Sequence, residues 1–250
     1  MNETAGVAHF ISQSDMIGKG IFVILVVMSI VSWYYIITKT LTKIMIKKRS
    51  REFTTFFWNA SSLEAVQHEI STHGVDNPFS HLASHALFAK AHHAKVGGGK
   101  LDDAGTLPDF LTRTMRRVID EETTRLENGL TTLASVGATA PFVGLFGTVW
   151  GVYHALVAIG AGGAGSLEQI SGPVGEALIM TGLGLAVAIP AVLAYNAFTR
   201  SNRVLLGRLD AYAYDLFAFL TTGQQSLGNV KGKNVTALHT ADRNAESAGS

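Results

Sequence analysis

Residues 21–37 read IFVILVVMSIVSWYYII, and no charged side chain occurs between residues 20 and 38. A helix of about 20 apolar residues crosses the roughly 30 Å of hydrocarbon in a bilayer. Two further stretches, 129–167 and 177–199, also lack Asp, Glu, Lys and Arg. The sequence therefore predicts an all-α membrane protein with three transmembrane helices, long cytoplasmic helical extensions and assembly into an oligomeric bundle.

The composition argues against most soluble functions. Of the 250 residues, 47% are hydrophobic and only 16% are charged, which is too apolar for a water-soluble enzyme with a single core. The chain has no cysteine, so disulfides, thiol catalysis and thiolate metal sites are excluded. A net charge of +1 gives no sign of nucleic-acid binding. We expect no cofactor.

The charges around the first apolar run predict the orientation of the chain. Neither a basic amino-terminal region nor a cleavage site precedes the run, which indicates an uncleaved anchor and not a signal peptide. The basic residues that follow it are Lys39, Lys43, Lys47, Lys48, Arg49 and Arg51. By the positive-inside rule, the amino terminus lies outside and residue 40 onward lies in the cytoplasm.

The same reasoning divides the whole chain into segments. Arg200, Arg203 and Arg208 follow the third apolar run, and the glycine-rich loop before that run suits the outer face. The predicted segments are a periplasmic amino terminus at 1–19, membrane spans at 20–38, 131–158 and 173–199, a cytoplasmic helical domain at 39–130, a periplasmic loop at 159–172, a cytoplasmic helix at 200–222 and a disordered tail at 223–250.

A cytoplasmic helix has a clear start at Thr106, where Asp109 closes a capping box. Its inward face repeats every three or four residues: Leu107, Leu111, Met115, Val118, Glu122 and Leu126. Gly129 is the only helix breaker before the next apolar run. The sequence thus predicts one continuous rod that leaves the cytoplasm and enters the membrane.

Three polar side chains within the spans are candidates for a proton pathway. Glu176 lies one turn inside the third span, where an ionisable group is costly unless it faces protein or water. It is either a carboxyl that takes up and releases a proton, or a solvated carboxylate near the interface that caps its own helix. Thr148 and Thr181 are either relay hydroxyls or packing residues bonded to their own backbone. On a straight helix, Thr181 lies about 140° around from Glu176.

Small residues and prolines predict close packing of the membrane helices. Gly144, Gly147 and Gly151 in the second span suit close approach of neighbouring helices, and so does the Gly182-x-Gly184 pair in the third. Pro141 and Pro190 each remove a helical hydrogen bond, which is tolerated where neighbours satisfy the freed carbonyl. Both prolines therefore indicate helices that are buried in an assembly.

Histidines are frequent in the loop after the first span. His81 and His85 are one turn apart, as metal ligands can be. No cysteine lies near them, so a solvated loop is the preferred interpretation and no metal site is predicted. His154, at the outer end of the second span, is predicted to be interfacial.

Two motifs resemble a known family. They are ATAPFVGLFGTVWG at 138–151 and GPVGEALIMTGLGLAVAIPAVLAYN at 172–196, and they resemble the MotA/TolQ/ExbB proton channel family. The resemblance implies that Glu176 is an essential carboxylate and that Thr148 and Thr181 are pore-facing hydroxyls.

The resemblance also implies partners and a cellular role. The chain would form a homo-oligomer, taken to be a homo-pentamer, around the single membrane helices of a dimeric partner, ExbD, which supplies an acidic proton acceptor. The complex would sit in the inner membrane of a Gram-negative bacterium. It would use the proton motive force to energise TonB, which opens outer-membrane receptors for siderophores, haem and vitamin B12.

Other functions remain open at this point. Within the family, the run at 172–181 favours the ExbB branch over the TolQ branch, which serves outer-membrane integrity, and MotA normally has four spans. A passive scaffold would use Glu176 only to pair with a basic group. A membrane enzyme lacks support, because the sequence shows no nucleophile, metal triad or phosphate loop.

Overall fold

The structure is a computed structural model that describes residues 15–96, 106–162 and 167–223. This part of the chain contains α helices and no strand, as the sequence predicts. The helices are α1 (Met16–Asn59), α2 (Leu63–His73), α3 (Pro78–Val96), α4 (Leu107–Glu127), α5 (Leu130–Gly162) and α6 (Leu167–Thr222).

Three helical stretches are long and apolar enough to cross a membrane, which confirms the predicted number of spans. They are Met16–Asn59, Leu107–Val157 and Ala177–Thr222. Only 17% of the most apolar window of the first stretch is buried within the chain, and 33% of each of the other two. Most of their apolar surface is therefore left for lipid or for other protein chains.

The chain divides into two compact units. The first unit takes Met1–Lys48 and Thr123–Leu205, and the second takes Arg49–Glu122 and Leu206–Ser250. The core of the first unit joins Leu25 of α1 to small and apolar residues of α5 and α6. These are Leu130, Leu133, Val136, Ala140, Val187, Ala188, Ala191 and Phe198.

The second unit has an aromatic centre. The Tyr212 ring of α6 makes edge contacts with Phe57, Trp58 and Phe79, at centroid distances of 5.5, 6.1 and 5.4 Å. Four of the six residues on the predicted inward face of α4 are buried, namely Leu111, Met115, Val118 and Glu122. The two at its ends, Leu107 and Leu126, are half-buried.

Side-chain caps form at two helix starts, one of them predicted. At α4, the Asp109 carboxylate accepts hydrogen bonds from the Thr106 backbone N–H at 3.3 Å and from its hydroxyl at 2.7 Å. At the start of α3, Asn77 Oδ1 accepts hydrogen bonds from the Phe79 and Ser80 N–H groups at 3.1 and 3.0 Å. Pro78 takes the first helical position, where no N–H is required.

The continuous rod predicted from the cytoplasm into the membrane is interrupted by a short turn. Helix α4 ends at Glu127 and α5 begins at Leu130. Between them, Gly129 has a φ of +78°, a left-handed conformation that ends helices and that other residues rarely adopt.

The helix that contains the third predicted span starts earlier than Gly172-Pro173, where the sequence places its start. Helix α6 begins at Leu167, ahead of Gly172-Pro173, and continues without a break to Thr222. Leu167, Glu168 and Gln169 are good helix formers, so the sequence ahead of Pro173 is compatible with a helix. Since α5 extends to Gly162, the segment between the two helices is shorter than the predicted loop at 159–172.

Some predictions fall on residues outside the described part of the chain. They concern most of the amino terminus at 1–19 and nearly all of the tail at 223–250. The assignment of segments to the two sides of the membrane also stays a prediction.

Candidate functional site

The structure brings two of the three proposed pathway residues into contact. Thr148 Oγ1 of α5 lies 2.5 Å from Thr181 Oγ1 of α6. It also lies 3.1 Å from the Ala177 carbonyl oxygen of α6 and 3.2 Å from the Gly144 carbonyl oxygen of its own helix. Both interpretations of Thr148 therefore have a geometric basis, since it reaches its own backbone and a neighbouring hydroxyl.

Glycines explain why the two hydroxyls can meet. A Cβ added at Gly144 would lie 2.6 Å from the Met180 carbonyl oxygen, and one added at Gly184 would lie 2.6 Å from the Ala140 carbonyl oxygen. These distances are shorter than any normal contact with backbone, so α5 and α6 approach as closely as their main chains allow. At this separation, a threonine side chain spans the gap to the opposite helix.

The other predicted packing glycines differ in what they contact. A Cβ at Gly151 would lie 2.9 Å from Ala177 Cβ, and one at Gly147 would lie 3.1 Å from Met180 Cβ and 3.3 Å from Ile21 Cγ2 of α1. Gly182 does not fit the prediction, because nothing lies within 4 Å of its Cβ position. Gly182 and Gly184 are about 200° apart around the helix, so only one of them can face α5.

The predicted prolines lie inside their helices. Pro141 is an interior residue of α5, and Pro190 is an interior residue of α6. Close to Pro141, the Cβ position of Gly137 is occupied by Val192 Cγ2 of α6. The α5–α6 contact thus continues past the point where Pro141 removes a backbone hydrogen bond.

Glu176 lies in the helical backbone of α6, directly before Ala177. Its side chain is outside the described part of the structure. Its neighbour Ala177 is the residue whose carbonyl oxygen faces Thr148 and whose Cβ faces Gly151. Glu176 therefore directly precedes a residue that contacts Thr148, and it lies five residues before Thr181 along α6.

The Thr148 hydroxyl has more acceptor oxygens around it than it has protons to donate. Thr148 has one O–H to donate, and three oxygens lie within hydrogen-bond distance of its Oγ1. Either hydroxyl can donate to the other. The pair can hold two alternative hydrogen-bond directions, which is the property that a proton relay or a water-binding site requires.

A further contact joins the first and second membrane helices at another position. The Trp150 indole Nε1 of α5 donates to Asp15 Oδ2 at 2.7 Å, while Asp15 Oδ1 accepts from the Gly18 N–H at 2.7 Å at the start of α1. His154 packs against the Trp150 ring at 4.5 Å. Burial raises the pKa of the Asp15 carboxyl, but the bonds from Trp150 and Gly18 and the nearby His154 outweigh it, so the pKa is lowered overall.

The sequence analysis did not identify Asp15 as the partner of Trp150, or His81 as the partner of Glu122. Asp15 stands directly before the first helical residue, and this helix-capping position is the signal that could have identified it. The sequence places Glu122 on the inward face of α4 but does not reveal its partner, which is His81. His81 Nδ1 lies 2.7 Å from Glu122 Oε1.

The described residues contain no group of three or more His, Cys, Asp or Glu that could hold a metal ion.

Comparison with known proteins identifies relatives over most of the chain. The family model described as "MotA/TolQ/ExbB proton channel family" matches residues 76–211. A protein of Xanthomonas campestris pv. campestris named "Biopolymer transport protein ExbB" is 41% identical over 207 residues, which is 82% of this chain and 82% of that protein.

Two further relatives come from both branches of that family. A Neisseria meningitidis protein, also named "Biopolymer transport protein ExbB", is 39% identical over 86% of this chain and 96% of its own length. A Pseudomonas aeruginosa protein named "Tol-Pal system protein TolQ" is 31% identical over 84% of this chain and 90% of its own length.

Proposed function

The chain belongs to the MotA/TolQ/ExbB proton channel family, and from this premise we propose that it is the ExbB-type subunit of an inner-membrane complex that uses the proton motive force. The observation that carries the proposal is the contact of Thr148 with Thr181, which follows Glu176 by five residues on α6. A hydroxyl pair and a carboxyl on facing membrane helices can exchange a proton with water in a pathway.

Each proposed pathway residue has a distinct role. Glu176 takes up and releases the proton, because it is the residue of the three whose charge changes with pH. Thr148 and Thr181 hold a water or pass a proton beside it. A proton that crosses the full membrane potential releases about 2.3 kcal/mol per 100 mV, and the complex would convert this energy into movement of its partner.

The proposed assembly is a homo-oligomer, taken to be a pentamer, around a dimer of an ExbD-like single-span protein. The large unburied apolar surface of the three membrane helices supports contacts beyond this chain. Large apolar residues such as Phe142, Phe146 and Leu193 are more than half exposed. The complex would act on a TonB-like protein, and through it on outer-membrane receptors for siderophores, haem and vitamin B12.

The alternative is a TolQ-like subunit that serves outer-membrane integrity. The identities of 41% and 39% to the two ExbB proteins against 31% to the TolQ protein favour the ExbB branch. Loss of growth on siderophore-bound iron after deletion supports the ExbB function. Detergent sensitivity with normal iron uptake supports the TolQ function.

The test of the proton role is Glu176→Gln. Gln keeps the size and hydrogen bonding of the side chain but removes its titration, so the complex should assemble while siderophore-dependent growth and proton flux into liposomes are lost. Glu127→Gln, an exposed glutamate at the end of α4, is the control and should leave both unchanged. Normal growth and flux with Glu176→Gln would refute the proton role.

A further inference from the structure

The break between α4 and α5 is held by side chains from two other helices. Leu126 lies in the last turn of α4, where backbone carbonyls have no partner within the helix. Its oxygen accepts a hydrogen bond from Lys39 Nζ of α1 at 2.8 Å and another from Asn202 Nδ2 of α6 at 3.0 Å. One carbonyl oxygen thus connects three chain segments of the first unit.

The turn itself contacts α1 at a second point. Gly129 has a φ of +78°, and a Cβ added to it would lie 2.5 Å from Tyr35 Cε1. Tyr35 and Lys39 are four residues apart, so they lie on the same face of α1. We name the set of Tyr35, Lys39, Leu126, Gly129 and Asn202 the Leu126 joint.

Lys39 is in an unusual place for a lysine. Lysines at the ends of membrane helices normally extend their charge into water or lipid headgroups. Lys39 instead is partly buried and donates a hydrogen bond from its ammonium to a backbone carbonyl oxygen. The positive charge of Lys39 is also attracted to the partial negative charge at the carboxyl end of α4, which stabilises the contact.

The joint lies at the start of the helix that carries Thr148. Helix α5 begins at Leu130, and at 1.5 Å per residue Thr148 lies about 27 Å further along it. Hydrogen bonds are directional. The two bonds to the Leu126 carbonyl oxygen, four residues before α5, therefore restrict the rotation and axial position of α5 more sharply than apolar contacts do. The contact of Thr148 with Thr181 depends on the rotation and on the axial position of α5, because two short side chains can reach each other only when both are correct.

We propose that Lys39 and Asn202 are positioning residues of the proton pathway, which hold the start of α5 through Leu126 and thereby keep Thr148 against Thr181. This inference rests on the proposed proton-channel function. It assigns a mechanical role to a lysine and an asparagine that lie outside the hydroxyl pair.

The test uses the complete complex with its partner and removes one donor at a time. Lys39→Met keeps the length of the side chain without its N–H groups, and Asn202→Leu does the same for the amide. Each variant should lower proton flux about fivefold, the population change that accompanies loss of one ordinary hydrogen bond, while the mass of the complex is unchanged. Lys39→Arg, which keeps a donor and the charge, should retain at least half of the flux.

The control is Lys47→Met, because Lys47 is an exposed lysine two turns further along α1. It should conduct like the parent. Parental flux in both Lys39→Met and Asn202→Leu would overturn the proposal. An equal loss in Lys39→Arg and Lys39→Met would also overturn it, since the donor would then not be the cause.

A second measurement separates this inference from the proposed function. Spin labels at Val149 of α5 and Leu185 of α6, both exposed, report the distance between the helices without any proton flux. Lys39→Met and Asn202→Leu should broaden this distance distribution, and Lys47→Met should not. If Glu176→Gln conducts like the parent, the proton function fails, and the distance distribution then decides the positioning role alone.

Discussion

His81 Nδ1 of α3 lies 2.7 Å from Glu122 Oε1 of α4, and this contact gives a hydrogen-bond partner to a carboxyl group on an otherwise apolar helix face. Glu122 is 2% exposed, and the neighbouring residues on that face are Leu111, Met115 and Val118. Because a buried polar group is costly when it loses a hydrogen-bond partner, this contact helps to hold α3 and α4 together within the second unit.

Removing one partner of this pair should destabilise the second unit strongly. His81→Leu removes the imidazole that contacts the buried Glu122 side chain, and we expect a loss of about 1–3 kcal/mol in the free energy of unfolding, the cost of removing a hydrogen-bond partner from a buried polar group. The double variant His81→Leu/Glu122→Leu should recover most of it, because the buried polar group is then removed together with its partner. Thermal unfolding of the intact complex measures both.

Arg117→Gln is the matched control for that experiment. It breaks the exposed Arg117–Glu121 pair on the same helix, and exposed pairs contribute about 0–1 kcal/mol. A His81→Leu variant no less stable than Arg117→Gln would mean that the buried pair does not hold the two helices.

Acidification should weaken the second unit through His85, one turn after His81. Burial lowers the pKa of His85, the charges of His81 and Arg117 lower it further, and Glu121 opposes them. The folded chain therefore binds this proton less readily than the unfolded chain, whose histidine pKa is about 6.5. Stability is complete above that pH and declines as the pH falls through the lowered value.

The pH dependence can be measured by hydrogen exchange of α3 between pH 8 and pH 5. Protection should decrease on acidification in the parent, and His85→Gln should reduce the decrease because it removes the group that charges. His154→Gln is the control, since His154 lies in the first unit. A decrease of the same size in His85→Gln would assign the effect to other groups.

Two glycines of α6 form a matched pair for testing helix packing. Gly184→Ala places a Cβ 2.6 Å from the Ala140 carbonyl oxygen, whereas the Cβ of Gly182→Ala meets nothing within 4 Å. Overpacking of this kind costs about 1–3 kcal/mol. Gly184→Ala should lower the yield of intact complex by mass measurement, and Gly182→Ala should not. Equal yields would show that α5 and α6 can separate without loss.

Thr148→Val separates conduction from packing. Valine keeps the volume of threonine but removes the hydroxyl, so proton flux should fall while the mass of the complex is unchanged. Thr139→Val is the matched control, because Thr139 is an exposed threonine of α5 whose hydroxyl donates to its own Ser135 carbonyl. If Thr148→Val dissociates the complex, or conducts like the parent, Thr148 is a packing residue.

The proposed orientation can be tested with single cysteines in a chain that has none of its own. Thr4→Cys and Gly163→Cys should react with a membrane-impermeant thiol reagent in spheroplasts, because both positions are predicted to face the periplasm. Ser71→Cys and Ser247→Cys should react only after the membrane is opened. Labelling of Ser71→Cys from outside would reverse the assignment.

Regular patterns in the sequence predicted much of the fold. Uncharged runs of sufficient length predicted the three spans, and the spacing of Leu111, Met115 and Val118 predicted the buried face of α4. The break at Gly129 was underestimated because one glycine is compatible with a helix. Its left-handed conformation depends on contacts with α1 and α6, which no local pattern reveals.

Contacts between distant residues limited the prediction of the site. Glu176 and Thr181 are separated by about 140° around the axis of their own helix. This angle gives no information about which residue of α5 contacts Thr181. Similarly, Glu122 was recognised on the inward face of α4, but its partner His81 lies 41 residues away in the chain. Both contacts follow from how helices pack, and only the structure provides that.

The contact of Gly144 with Gly184 implies that substitutions at these positions are epistatic. A Cβ on either residue would lie 3.1 Å from the Cα of the other, so both side chains would occupy the same gap. Once an alanine at one position has widened the gap, an alanine at the other enters space that is already open. The second penalty is therefore smaller than the first, as is common for residues in contact. In related chains, the two positions should change together more often than separately.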